Sequence, residues 1–391
     1  MTRPTGPRRQ LALIALVQVL VLSLWFSASA VLPALRADWG LDRQGGIWLT
    51  ATVQIGFAVG AVGSAALNLA DRIRPQVLLA ASALLGASAT ALIPLLATGA
   101  WTAAPLRLVT GIAMAGVYPV GLKLVVSWYP RARGAALGVL IGALSLGSAV
   151  PQLLTAVIVL DWRWVLLAAS GLAVLGAALA VALVRPGPDA RPSPPLEPRY
   201  VLRMFADRRQ RLVTLGYFGH MWELYALWAW LPAYLVAAGA AAVGLTAFAV
   251  IGVAGAAGCV AGGLLAERHG HARIALVAML VSAACAVGSV AVLDAPPVVL
   301  TALLLVWGAA VVADSAQFSA ALSEVADQRY VGTALTAQTA LGFLLTVVTI
   351  QALPLLADSV GWRAAMPLLA VGPLLGALAM RRFLRIAPVR T

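Results

Sequence analysis

The sequence predicts an all-α membrane protein, with twelve transmembrane helices in two pseudo-symmetric six-helix bundles. Of its 391 residues 62% are hydrophobic and 10% charged, whereas a soluble domain is about half apolar and about a quarter charged. Apolar stretches of the roughly 20 residues a spanning helix needs follow one another almost end to end, separated by short charged connectors. The cations are also unevenly placed. With the helices assigned below, 21 of the 27 Lys and Arg residues fall on one side, only Arg36, Arg43, Arg163 and Arg363 on the other, and Arg107 and Lys123 inside the membrane. This asymmetry puts both termini in the cytoplasm and the chain in the inner (plasma) membrane. The net charge of +13 therefore reports topology. With no base-reading module or aromatic-basic platform, no nucleic-acid partner is expected.

The first apolar stretch, 11–35, is too long for a signal-peptide core and lacks a cleavage site, so it is retained as helix one. Helices two and three follow at 45–67 and 76–97. Helix four, 101–125, carries Arg107 and Lys123. Helix five, 134–158, has glycines at 134, 138 and 142, the small residues that let helices approach closely. Helix six spans 164–184. The stretch 186–208, rich in proline and arginine, reads as a polar cytoplasmic linker between an N-terminal bundle (1–185) and a C-terminal bundle (209–391). The second half holds helices at 210–236, 243–265, 273–293, 296–320, 331–355 and 363–380. Cys259 and Cys285 lie in apolar helices, as small packing residues and neither a disulfide nor a metal pair. The halves repeat: Asp71-Arg72 corresponds to Glu267-Arg268 and Trp162-Arg163 to Trp362-Arg363, at offsets of 196 and 200 residues.

Gly263-Leu-Leu-Ala-Glu267-Arg268-His-Gly270-His-Ala-Arg273 resembles the loop signature of the major facilitator superfamily, Gly-x-Leu-Ala-Asp/Glu-Arg-x-Gly-x-x-Arg. The copy at Leu67 to Arg74 keeps Asp71 and Arg72 but has Leu67 and Arg74 where glycine is usual. Arg107-x-x-x-Gly111 and Trp128-Tyr-Pro-Arg-x-Arg133-Gly134 are also similar to the family. The resemblance implies transport of a small-molecule substrate by rocking of the two halves, with gating roles for Asp71, Arg72, Gly263, Glu267, Arg268, Gly270 and Arg273. It also implies a central cavity lined by helices one, four, seven and ten. The run Gly142 to Pro151 is similar to helix five of nitrate, nitrite and cyanate-type porters, yet helices two and eight lack the arginines that would clamp nitrate. The branch stays open.

Ionisable groups inside a bilayer cost several kcal/mol unless they face a cavity or a partner, which marks five residues as functional candidates. Lys123 is the sole lysine of the chain; as a compact ammonium it would bind an anionic substrate or pair with a carboxylate, against the alternative of snorkelling to the interface. Arg107 points roughly 160° away from Lys123 on an ideal helix, so both face one cavity only if the helix bends, for example at Pro119. Its alternatives are substrate contact, packing and proton coupling. His220, Glu223, Leu227 and Trp230 share a stripe of helix seven. Glu223, near mid-membrane, suits reversible protonation, with His220 as a relay or as its hydrogen-bond neighbour. Alternatively, Glu223 is a fixed partner of Lys123 or Arg107. On helix ten Trp307, Asp314, Gln317 and Phe318 share a face; a Lys123–Asp314 pair between the halves is the expected gate, unless Asp314 only anchors local packing. Trp230, Gln317 and Tyr118 complete the expected substrate contacts, with Gln54, Gln152 and Gln338 as further hydrogen-bonding candidates.

The leading expectation is a monomeric, proton-coupled secondary transporter of a small organic anion or zwitterion, using protons as coupling ion and the lipid bilayer as solvent. The alternatives are an exporter of hydrophobic or cationic compounds and a non-transporting membrane receptor or assembly factor on the same scaffold. No enzyme is expected, because no nucleophile–base set, metal cluster or phosphate loop is present, and no cofactor or metal is required.

Overall fold

A computed structural model describes residues 6–129, 133–157, 161–190 and 196–386. The chain divides into two compact units, Met1–Ser193 and Pro194–Thr391. Every regular element described is helical, as a bilayer demands of chains that must satisfy their backbone internally. Among the described residues nine helices are long and apolar enough to cross a membrane. One of these, running from Val331 to Ile386, turns at Gly361 (φ 82°) and so holds two spans. With the interrupted helix at 7–39 and the helix Arg208–Ala237, the spans among the described residues number twelve.

The first unit opens with span one, which is not the continuous helix that its apolar run predicts. It is helical at Pro7–Leu22, turns through 23–26, and resumes as Ser27–Ala30 and Leu32–Trp39, ending at Gly40 in the left-handed region (φ 57°) where glycine carries no steric penalty. Span two, Arg43–Ala66, starts where Asp42 accepts a hydrogen bond from Gly45 N (2.8 Å), an N-cap that pairs one of the free amides of the first turn. Span three is Pro75–Leu96. Span four is split into Ala100–Ala115 and Tyr118–Trp128, three residues before the Pro119 that the sequence suggests as the bend. Span five is Arg133–Val157 and span six Trp162–Leu183, capped by Asp161 through Arg163 N at 2.9 Å.

In the second unit, the segment expected to be only a linker contains a helix, Pro198–Ala206. Tyr200 fastens it: its hydroxyl donates to Gln210 Oε1 (3.1 Å) and accepts from Asp327 N (3.0 Å), and its ring stacks on Tyr330. Residues 191–195 of the linker and Arg131 of the 128–134 motif lie outside the described residues. Span seven is Arg208–Ala237. Span eight runs from Val243 to His269 with a π-helical stretch at Phe248–Ala254, span nine is His271–Val292, and span ten is Pro297–Ala313 followed by Ser315–Val325. Span eleven begins at Val331, and span twelve ends at Ile386.

Close backbone contact between spans recurs in both units, and one pair in each carries it on a repeated glycine spacing. A Cβ on Gly56 would come within 2.2 Å of Leu108 O, one on Gly60 within 2.7 Å of Ile112 O, and one on Gly111 within 2.1 Å of Val53 O. Spans two and four therefore touch through bare glycine. Spans eight and ten do likewise: Gly258 against Ala309 O (2.0 Å), Gly262 against Ala313 O (2.4 Å) and Gly308 against Val250 O (2.2 Å). Both pairs use a Gly-x-x-x-Gly spacing, which gives a flat strip for close helix approach in lipid.

Candidate functional site

In the first unit both intramembrane cations are engaged. Arg107 is fully buried. Its Nη1 donates to Leu24 O (3.1 Å) and Ser27 Oγ (3.4 Å), Nη2 donates to Trp25 O, and Nε reaches Leu49 O at 3.5 Å. The interruption of span one at 23–26 explains the arrangement. A broken helix exposes carbonyls that a bilayer cannot hydrate, and a planar guanidinium with five donors can serve several at once. The sequence candidate for substrate contact is thus a brace of span one, with its donors directed at the backbone.

Lys123, in the lower half of span four, forms an ion pair with Asp71 Oδ1 and donates to Ala70 O at 3.2 Å. The expected gate partner was Asp314, but Lys123 meets its carboxylate inside its own unit, in the loop after span two. Lys123 and Arg107 thus serve different surroundings, as their opposed directions on an ideal helix predict, and the break at 116–117 does not bring them together. Arg72 and Arg74 of that loop are exposed, and the left-handed position falls at Asn68 (φ 51°). In the matching loop of the second unit it falls at Gly270 (φ 86°), so the glycine of the signature there answers a backbone need that Arg74 does not share. Gly263 is buried, while Glu267, Arg268 and Arg273 are exposed. Tyr118 starts the lower half of span four and is half-buried.

The second unit holds a buried polar track. Glu223, on span seven, is 1% exposed. Its Oε2 accepts from Ser282 Oγ on span nine (2.8 Å) and its Oε1 from Trp307 Nε1 on span ten (2.6 Å). His220 does not bond to Glu223, as one-turn spacing suggests. It turns to span ten, with Nδ1 2.8 Å from Asp314 Oδ1 and Nε2 3.0 Å from Ser315 Oγ. Both partners sit at the break of that span, where helix geometry lapses at Asp314. Gln317 lies one turn further along and bonds His271 Nδ1 through Oε1 (2.7 Å). Trp230 directs its indole N–H at Ile350 O (2.9 Å), so its polar atom is engaged in helix packing. Two expected hydrogen-bonding residues are buried with idle amides: both polar atoms of Gln54 and Nε2 of Gln338 have no partner. Ser282 and His271, which carry part of this network, escaped the sequence reading because serine is common in apolar helices and His271 sits in a loop motif read as a gate. The pairing of like residue types on one helical stripe offered no signal for partners on another span.

A polytopic helical protein with paired glycine contacts, interrupted spans and buried ionisable groups that face one another within the membrane has the make-up of a solute transporter. A family model described as the Major Facilitator Superfamily matches residues 14–350, and the chain belongs to that superfamily. It is a multi-pass membrane transporter and not an enzyme. The fold is similar to a crystal structure of the nucleoside transporter NupG, in a mutant form, with a TM-score of 0.72 over 96% of this chain and 99% of that one. Sequence identity is 13%, and the likeness therefore speaks to fold. Comparison with curated proteins gives no match.

Proposed function

We propose that this chain is a proton-coupled secondary transporter, working by alternating access in the inner membrane, whose proton site is Glu223 and whose cargo is a small polar organic solute, zwitterionic or uncharged. The carrying observation is the company Glu223 keeps. Its two partners, Trp307 and Ser282, are neutral donors, and among the described residues no cation lies within ion-pair distance of it. A carboxyl so held gains or loses a proton without breaking an ion pair. When ionised it accepts both bonds; when protonated it donates to Ser282, whose hydroxyl turns from donor to acceptor, while Trp307 continues to donate to the carbonyl oxygen.

The expectation of an organic anion rested on a free Lys123, and Lys123 is tied to Asp71. The idle amides of Gln54 and Gln338 favour a solute recognised by hydrogen bonds, since a buried unpaired amide costs about 1–3 kcal/mol that a bound ligand would recover. A nucleoside, cargo of the structurally similar NupG, falls within this class. The test begins with a thermal-stabilisation screen of purified protein against zwitterions, nucleosides and organic anions. For the best hit, Glu223→Gln should abolish accumulation driven by a proton gradient and retain exchange of labelled for unlabelled solute. Accumulation with unchanged pH dependence in that variant would refute the assignment, and stabilisation by organic anions alone would refute the substrate class.

A further inference from the structure

Buried carboxyls that exchange protons need a way to reach water, and one end of the second unit offers it. Asp314 interrupts span ten, so the amide of Gln317 turns to Asp314 O (2.9 Å) and does not close the regular helical bond to Ala313 O. The freed Ala313 carbonyl is met by the Gln317 side chain, Nε2 donating at 3.2 Å. A carbonyl only accepts, which fixes the amide: Nε2 faces Ala313 and Oε1 faces His271. Oε1 in turn only accepts, so the nitrogen that it meets at 2.7 Å, Nδ1 of His271, must carry the hydrogen. That leaves Nε2 of the neutral ring as the basic nitrogen. It lies 4.0 Å from Glu324 Oε1, and the side chains of His271 and Glu324 are 22% and 46% exposed. The backbone break at Asp314 thus sets the tautomer of a half-exposed histidine at the membrane face bearing the 270 and 326–330 loops.

We infer that His271 is the port through which protons pass between that aqueous face and the Asp314–His220 pair, with Gln317 as its positioning residue; this rests on the proton-coupled reading above. An acid in solution gives a proton to Nε2, and the resulting imidazolium pairs with the Glu324 carboxylate. The ring then releases its Nδ1 proton, through water, to the carboxylate of Asp314, about one helical turn from Gln317. A proton shift between the ring nitrogens restores the starting tautomer, so the sum is one proton moved from solution to Asp314. Among the described residues Glu324 is the charged group within ion-pair reach of His271, and Asp314 that within reach of His220 from another span. The rings of Tyr217 and Phe318 flank His220 at 6.0 and 5.7 Å.

The full chain in liposomes, stepped from high to low pH, would show the protonation of buried carboxyls by infrared absorption, with Asp314→Asn and Glu223→Gln assigning the bands. His271→Ala, or His271→Gln should alanine prevent folding, is expected to slow their appearance about a hundredfold, the lower end of what a positioned proton-transfer group contributes. The final extent should not change, and free imidazole in the buffer should restore the rate. Gln317→Leu should slow it less and Gln317→Glu should preserve it, a contrast that a purely structural role for Gln317 would not produce. Bands that titrate at the parental rate in the His271 variants overturn the port alone. If no buried carboxyl titrates in the parent protein, the proton-coupled reading falls and the port falls with it.

Discussion

Adding one methyl group to Gly258 tests whether the backbone contact between spans eight and ten holds the second unit together. The new Cβ would stand 2.0 Å from Ala309 O, whereas ordinary contact begins at 3.4 Å. The spans must therefore separate by about 1.4 Å along a strip that also includes Gly262 and Gly308. No rotamer can relieve the clash, because the atom met is backbone. Overpacking of this kind costs typically about 1–3 kcal/mol, and a displacement of two backbones belongs at the upper end. Alanine regains about 1 kcal/mol of helix propensity, which leaves a net loss of about 2 kcal/mol. Gly171→Ala in span six is the control, since nothing lies within 4 Å of a Cβ there; it should gain about 1 kcal/mol from propensity alone. Unfolding titrations of the two variants in mixed micelles should differ by about 3 kcal/mol by that arithmetic. A difference below about 1 kcal/mol would show that the glycine strip is not a packing constraint.

Arg107→Leu should destabilise the first unit by about 2 kcal/mol or more, since hydrogen bonds to charged donors are worth about 1.5–3 kcal/mol each. Arg107→Lys should recover little, because one ammonium cannot reach the carbonyls of Leu24, Trp25 and Leu49 together; equal unfolding curves for parent and lysine variant would refute this. Lys123→Met and Asp71→Asn should each lower transport to a similar degree, and the double variant should do no further harm. Strict additivity would show that the pair does not act as a unit. Outside the membrane, the backbone N–H of Arg163 and then its side chain hold the Asp161 carboxyl below its ordinary value of 3.8. A depressed carboxylate stabilises the fold above that ordinary value and ceases to do so as pH falls through the depressed one. The stability difference between parent and Asp161→Asn should thus be constant from neutral pH to about pH 5 and vanish only in stronger acid, as melting curves at several pH values would show.

The spans were legible because a bilayer reads hydropathy directly: span three, expected at 76–97, is Pro75–Leu96, and span nine, expected at 273–293, is His271–Val292. Their interruptions were not. Nothing in the run around Leu24 and Trp25 forbids a helix, and what permits the break there is a guanidinium more than 80 positions away. The five intramembrane ionisable residues were also legible, since charge in lipid is conspicuous wherever it falls. Their partnerships were harder. Periodicity puts Glu223 beside His220 and Asp314 beside Trp307, but the structure exchanges the partners, giving Trp307 to Glu223 and His220 to Asp314. Periodicity sorts the residues of one helix by face, and it carries no register between helices. The glycine strips of spans two and eight are hidden in the sequence for the same reason. A Gly-x-x-x-Gly spacing names a flat face without naming what lies against it.

The carbonyl cradle of Arg107 has a consequence for how the chain enters the membrane during synthesis. An arginine inside a membrane helix opposes insertion, by up to roughly 2.5–3.5 kcal/mol on translocon scales when it lies at the centre, and Arg107 lies off the centre of Ala100–Trp128. Span four cannot shed this cost by itself, because the groups that receive its guanidinium belong to span one and, through Leu49, to span two. The first two spans must therefore stay close to the insertion site until the fourth arrives, and the fourth should depend on them for efficient integration. A span four placed behind unrelated leading helices would be expected to slip back out of the bilayer, while the same segment carrying Arg107→Leu would integrate in either setting.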